Sequence, residues 1–296
     1  MPELQGQSIF KAGVHQAALI LAQIAEKLPH NGYDDPRRDA RHLLALAIKS
    51  DDPVLPHEDV ILDDQAIIRL DEVIERRKMG EPISRIKGMR EFYGLVFKID
   101  HSTLDPRADS EVIVDTVIDY VNESDQSQLN VVDFGTGSGC LILAAAYNCP
   151  NIVGIGVDIQ AQAISIAKAN ADKLRLSERI SFKQSVWDSE IDGVFDIIIS
   201  NPPYIPSHEI SGLMDEVRKY DPAEALDGGE DGLDAWYALA GITRSRLAKS
   251  GIAVFEIGQG QEDNVVKIMQ DHGLLLLEQR ADLAGIIRCL VFRIAS

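Results

Sequence analysis

A short, mostly apolar strand, Leu129–Phe134, runs straight into Gly135-Thr136-Gly137-Ser138-Gly139, and the chain continues into a helix over Cys140–Asn148. Three glycines between a strand and a helix allow a tight turn. They also let a ligand approach bare backbone and face the free N–H groups of the helix start. The strand–helix beat then repeats. Ile152–Val157, Ile180–Phe182, Phe195–Ser200 and Ile252–Ile257 read as strands, and Ala161–Leu174 and Leu233–Leu247 as helices. A further helix carries Val112, Val117 and Ile118. Such alternation over short connections predicts a parallel sheet with helices on both faces. The end differs, because Leu274–Glu278 and Ile286–Ile294 have no helix between them and predict an antiparallel hairpin. There is no internal repeat with a period of 20–50 residues.

The first hundred residues follow another pattern. Val14, Ala17, Ala18, Leu21, Ile24, Ala25 and Leu28 recur at helical spacing up to Pro29. Asp35-Pro36 opens a second helix, with aspartate as N-cap, proline at its first position and Ala40, Leu43, Leu44, Ala47 and Ile48 as its buried stripe. Asp63 or Asp64 caps a third, with Ile67, Leu70 and Ile74 on its apolar face and Arg76-Arg77-Lys78 at its end before Gly80. Gly88 and Gly94 punctuate a segment in which Leu95, Phe97 and Ile99 alternate, the pattern of a hairpin joining two domains. The expected organisation is a helical domain over 1–84, a hairpin linker over 85–109 and an α/β domain over 110–296.

Composition excludes several classes. With 45% hydrophobic and 26% charged residues the chain is neither disordered nor fibrous. No apolar run approaches the ~18 residues of a membrane span, and Ala17–Ala22 leads into Gln23, Glu26 and Lys27, as an amphipathic helix does. Cys140, Cys149 and Cys289 form no Cys-x-x-Cys pair, so neither a disulfide framework nor a metal site is expected, and a cytoplasmic location is. The net charge is −18. Residues 1–100 hold 17 acids and 14 bases, residues 101–296 hold 30 and 15, so nearly all the excess lies in the second part. A surface this negative speaks against unspecific binding to DNA or to anionic lipid.

Two constellations carry chemistry. The first is Asp133-Phe134-Gly135-Thr136-Gly137-Ser138-Gly139 with Asp158, which closes the next strand 19 residues after Gly139. A dinucleotide fingerprint would require glycine at Cys140. The pattern resembles instead the S-adenosylmethionine loop of Rossmann-like methyltransferases, where Asp158 would accept the ribose hydroxyls. A plain strand–helix turn is the bland alternative. The second is Asn201-Pro202-Pro203-Tyr204, delivered by Phe195–Ser200 at the carboxyl edge of the sheet, where open α/β sheets bind ligands. An amide or aromatic amine is a poor nucleophile, because its lone pair is delocalised. The Asn201 side-chain oxygen and the Pro202 carbonyl can accept both N–H bonds of such a group and aim its nitrogen. The prolines stiffen the backbone, and Tyr204 offers a flat face for a planar group.

Further stretches narrow the resemblance. Pro36–Leu44, Arg76-Arg77-Lys78-Met79-Gly80-Glu81-Pro82-Ile83 and Arg90-Glu91-Phe92-Tyr93-Gly94 are similar to the N-terminal part of the release factor glutamine methyltransferase family (PrmC/HemK type). Tyr220-Asp221-Pro222, Ala225-Leu226 and Asp282-Leu283-Ala284-Gly285 are similar to its C-terminal part. The resemblance covers nearly the whole chain. It implies an α/β fold with a Rossmann-like methyltransferase sheet, a terminal antiparallel hairpin and a small N-terminal helical bundle that recognises substrate. The implied activity is methylation of N5 of the glutamine in the Gly-Gly-Gln motif of class 1 peptide chain release factors. S-adenosyl-L-methionine would be the donor and S-adenosyl-L-homocysteine the product, with no metal and no direct nucleic-acid or membrane partner. Gly135 to Gly139, Asp133, Asp158, Trp187 and Asn201 would hold the cofactor, and Asn201, Pro202, Pro203 and Tyr204 the glutamine. Trp187 is equally a buried tryptophan anchoring a loop.

The chain departs from the family in one stretch. Leu-Ile-Pro-Arg-Pro-Asp-Thr-Glu becomes Leu104-Asp105-Pro106-Arg107-Ala108-Asp109-Ser110-Glu111, with an acid replacing isoleucine and Ala108 a proline. His208, four residues after Tyr204, reads as a solvated loop histidine rather than a base. Residues 205–235 hold nine acids against Arg218 and Lys219, either a surface that steers a basic partner or a solvated loop. A DNA adenine-N6 methyltransferase shares Asn-Pro-Pro-Tyr, yet it needs a positive channel. A ribosomal-protein glutamine methyltransferase and a silent S-adenosylmethionine-binding module are the other readings.

Overall fold

Asp35 opens its helix as the sequence predicts: its carboxylate accepts the N–H groups of Arg37 and Arg38 at 3.0 and 3.2 Å, and Pro36 takes the first helical position. The computed structural model describes residues 8–29, 35–282 and 284–295 and divides into two units, Met1–Lys87 and Gly88–Ser296. Leu283, part of one stretch similar to the family, lies outside the described residues.

In the first unit α1 (Ala17–Lys27), α2 (Pro36–Ile48) and α3 (Asp64–Lys78) bury Ile20, Ile24, Leu43, Leu44, Leu70 and Ile74 against one another. Asp63 caps α3 through the Ala66 N–H at 2.6 Å. Arg77 near the end of α3 is buried and bonds Asp39 of α2 at 2.7 Å, so the basic turn is partly internal. A five-residue helix, α4 (Ile83–Lys87), follows. The first helix starts later than its spacing suggests, because Val14 lies in a strand, β1 (Gly13–Gln16), paired antiparallel with β2 (Asp59–Leu62). Val14 is 70% exposed opposite Ile61. A β-branched residue after Gly13 suits a strand, and the pairing partner lies too far along the chain for local spacing to reveal it.

The second unit begins with a hairpin, β3 (Met89–Phe92) and β4 (Leu95–Lys98), whose Phe92 and Phe97 are buried in this unit's core. Then come α5 (Glu111–Glu123), β5 (Leu129–Phe134), α6 (Cys140–Asn148), β6 (Ile152–Asp158), α7 (Ala161–Leu174), β7 (Ile180–Gln184) and β8 (Phe195–Ser200). A short α8 (Asp215–Tyr220) and α9 (Asp234–Arg246) lead to β9 (Leu247–Glu256), α10 (Glu262–Asp271), β10 (Leu274–Ala281) and β11 (Ile287–Ile294). The seven strands lie in the order β10-β11-β9-β8-β5-β6-β7. Pairing is parallel from β9 to β7, and β11 runs antiparallel to both its neighbours. The α10 helix is not among those expected from the sequence pattern. That helix returns the chain to the far edge, so the last strand can slot between β9 and β10.

Strand residues alternate between the two faces as a period of two requires. Val131, Ile197, Ile199 and Val254 pack with α5, α6 and α7, while Val132, Ile198, Ala253 and Phe255 pack with Trp236 and Leu239 of α9 and Met269 of α10. Among the described residues no helix is long and apolar enough to cross a membrane, and no group of three or more His, Cys, Asp or Glu side chains could hold a metal ion.

Candidate active site

The carboxyl ends of β5, β6 and β8 meet at one pocket of about 220 Å³. Gly135, Gly137 and Gly139 take φ of 69°, 53° and 80°, the left-handed region that a side chain strains. A Cβ on Gly135 or Gly137 would touch nothing within 4 Å, so these two present bare backbone to open space. Thr136 pins the turn, donating its hydroxyl to Asp133 Oδ2 at 2.6 Å and its N–H to the Val157 carbonyl at 2.9 Å. Asp158 Oδ2 accepts the Gly137 N–H and Oδ1 the Gln160 N–H, each at 2.9 Å, and burial raises its pKa. Each oxygen keeps a lone pair for a ligand hydroxyl. Gly156 makes room below the turn, since a Cβ there would sit 2.6 Å from both Thr136 Oγ1 and the Phe182 ring.

Gly135, Thr136, Gly137, Ser138, Asp158, Trp187, Asn201 and Pro203 all line the pocket. Trp187 stands edge-on to Phe134 at 6.4 Å between centroids, its carbonyl held by Ser185 Oγ at 2.7 Å. Four of the predicted site residues are not among those that line the pocket. Asp133 is fully buried beneath the turn, and burial pushes its carboxyl up to about 7. Gly139 packs under Leu143 and Phe182, and Pro202 is buried. Tyr204 turns its hydroxyl to Glu256 Oε1 at 3.4 Å. His208 is exposed beside Glu209.

The Asn201–Tyr204 backbone is clamped by residues that the sequence reading does not single out. Gln261 Nε2 donates to the Tyr204 carbonyl at 2.9 Å, and Gly228, Gly232 and Gly258 lie so close to Tyr204 that a Cβ on any of them would approach it within 3 Å. Asn201 Nδ2 donates to Ser110 Oγ at 3.2 Å, and Ser110 donates in turn to Glu256 Oε2. The signal for Glu256 is a lone acid ending the apolar run Ile252–Phe255 at the carboxyl edge of a central strand.

The divergent segment 104–111 is tied down side chain by side chain. Arg107 pairs with the buried Asp221 at 2.5 Å, Asp109 with Arg288 at 3.3 Å, and Glu111 Oε1 accepts the Tyr93 N–H at 2.9 Å. Asp105, where the family has isoleucine, is buried 3.5 Å from Arg90, and its N–H donates to Asp221 Oδ1. Ala108 forms a 3-10 turn with Asp109 and Ser110 without proline's restraint.

The open approach to the backbone at Gly135 and Gly137, the acceptor at Asp158 and the flat ring of Trp187 fit an adenosine carrying a compact cationic tail, the form of S-adenosylmethionine. Asn201 adds an amide at the other end. Sheet order, glycine turn and Asn-Pro-Pro-Tyr edge together define a Rossmann-like methyltransferase. A family model described as methyltransferase small domain matches residues 110–217, and one described as PrmC N-terminal domain matches residues 20–88. Among curated proteins, the release factor glutamine methyltransferase of Rhodospirillum rubrum is 38% identical over 95% of this chain and 87% of its own length. That of Agrobacterium fabrum is 40% identical over 94% of this chain and 96% of its own. The chain belongs to the release factor glutamine methyltransferase family. Among solved structures, the hMettl16 catalytic domain superposes with a TM-score of 0.54 at 12% identity over 82% of this chain and 87% of that one, a likeness of fold alone.

Proposed function

We propose that the protein transfers the methyl group of S-adenosyl-L-methionine to N5 of the glutamine in the Gly-Gly-Gln motif of class 1 peptide chain release factors, in the cytoplasm. Residues 1–84 act as the substrate-recognition domain and 110–296 as the methyltransferase domain. The observation that carries this is the meeting of Asn201 and Pro203 with Gly135–Ser138 and Asp158 in one pocket. Bound S-adenosylmethionine supplies an electrophilic methyl group on a sulfonium. Asp158 would accept the ribose hydroxyls, and the Gly135–Ser138 backbone and Trp187 would hold the rest of the cofactor. Asn201 Oδ1 and the Pro202 carbonyl accept the two N–H bonds of the glutamine amide. They aim its lone pair across the pocket and stabilise the positive charge that grows on nitrogen. Pro202 and Pro203 hold that backbone without competing N–H groups. No strong base is required, because the methylated amide is acidic enough to lose its proton to water.

The test is incubation with labelled S-adenosylmethionine and a purified release factor, followed by peptide mass mapping. One methyl group on the Gly-Gly-Gln glutamine is expected. Label on any other residue, or on DNA or a ribosomal protein in preference, overturns the assignment.

A further inference from the structure

Glu256 closes β9 with its carboxylate buried at the carboxyl edge of the sheet, and no step of the proposed transfer uses it. Its Oε2 accepts from Ser110 Oγ, Ser110 Oγ accepts from Asn201 Nδ2 at 3.2 Å, and Tyr204 Oη donates to Oε1 at 3.4 Å. Two of the four residues of Asn-Pro-Pro-Tyr thus hang on one carboxylate.

A primary amide has nearly the same shape at both ends and opposite hydrogen-bonding sense. Asn201 can turn either Oδ1 or Nδ2 toward a substrate, and only Oδ1 accepts an N–H. Shape does not choose between them, but the polarity of the neighbouring bonds does. An ionised carboxylate only accepts, so Ser110 gives its single proton to Glu256 and keeps lone pairs alone for Asn201. Only Nδ2 can meet those lone pairs. We infer that Glu256, acting through Ser110, is a positioning residue that holds the Asn201 amide with Oδ1 toward the substrate nitrogen, an inference that rests on the methyl-transfer reading above. Protonating Glu256 reverses the relay. Its O–H then donates to Ser110, the Ser110 proton turns to Asn201, and the amide flips to present a donor where an acceptor is needed.

The groups around the carboxylate place that reversal in the neutral range. Burial pushes Glu256 up to about 7, opposed by the hydrogen bonds from Ser110 and Tyr204 and by Arg288 on β11, and supported by Asp109. Arg288 is shared with Asp109 and Asp282, so its charge is divided. The nearby thiols of Cys140 on α6 and Cys289 on β11 are both pushed up to about 12 and stay neutral.

The test uses the full chain and a Gly-Gly-Gln release factor, with kcat read between about pH 6 and 9 at saturating S-adenosylmethionine, because Asp133 titrates in the same range beneath the glycine turn. Wild-type kcat falls on the acid side of about pH 7. Glu256→Gln keeps an acceptor for Ser110, with its amide N–H turned to Tyr204 Oη, and cannot titrate. It retains kcat within about tenfold at high pH and loses the acid limb. Ser110→Ala lowers kcat about 10- to 100-fold with the S-adenosylmethionine Kd and the melting temperature little changed, and Ser110→Thr restores it. A readout independent of turnover is the affinity of unmethylated release factor for the S-adenosylhomocysteine-loaded protein. It weakens below about pH 7 in the wild type and not in Glu256→Gln. An unaltered acid limb in Glu256→Gln, or wild-type kcat in a folded Ser110→Ala, overturns the relay alone. A wild type that methylates no release factor overturns the methyl-transfer reading and the relay with it.

Discussion

Asp133 sits under the glycine turn rather than in the pocket, holding Thr136 while burial keeps its carboxyl near 7. An unfolded aspartate ionises at about 3.9. Between those values the folded chain binds the extra proton, so Asp133 costs increasing stability as pH rises from about 4 to 7. Asp133→Asn is therefore expected to melt higher than the wild type at pH 8. The two converge near pH 4, a comparison that thermal scans at both values check. Asn201→Ala keeps the fold and still binds S-adenosylmethionine by calorimetry, and loses about 10²- to 10³-fold in kcat, the scale of removing one preorganised polar group from a transition state. Unchanged transfer in that variant removes Asn201 from the chemistry.

At the scale of elements, glycines separate into those that make room and those that do not. Gly156 in β6 lets Thr136 and Phe182 close over it, and Gly156→Ala drives a methyl group to 2.6 Å from both. That variant is expected to melt lower and to bind S-adenosylmethionine more weakly, because Thr136 must leave its bonds to Asp133 and Val157. Gly241 lies in α9 with nothing within 4 Å of an added Cβ, so Gly241→Ala is expected to stabilise by roughly 0.5–1 kcal/mol. Chemical denaturation of the pair checks both signs in one experiment. The polar residues of segment 104–111 show the same economy. Arg107, Asp109, Ser110 and Glu111 each find a different partner, which accounts for the retained charges where the intervening residues have changed.

Across the whole molecule the charge of −18 is distributed unevenly. In the segment after Tyr204, Asp215 takes both local bases, Arg218 and Lys219, and Asp221 is buried against Arg107. Glu209, Glu224, Asp227, Glu230, Asp231 and Asp234 stay exposed, and Glu224 reaches the pocket rim. These acids would steer a basic partner, so the KM for release factor is expected to rise several-fold between about 50 and 300 mM salt while kcat holds. A flat KM reduces the segment to a solvated loop.

What the chain declares by itself is local. The strand–helix beat, the glycine turn, Asp158 and Asn201–Tyr204 are legible because backbone geometry and hydrogen-bonding chemistry within a few residues dictate them. The caps at Asp35 and Asp63 are legible for the same reason. Val14 misleads because its spacing fits a helix while its partner, Ile61, lies across a strand pair. The placement of β11 between β9 and β10 depends on α10 carrying the chain past its own edge. Glu256 meets Ser110 across 146 residues, and Arg107 meets Asp221 across 114. A side chain's neighbours at that separation are set by how sheets and helices pack, so the sense of the Asn201 amide is decided only in the folded molecule.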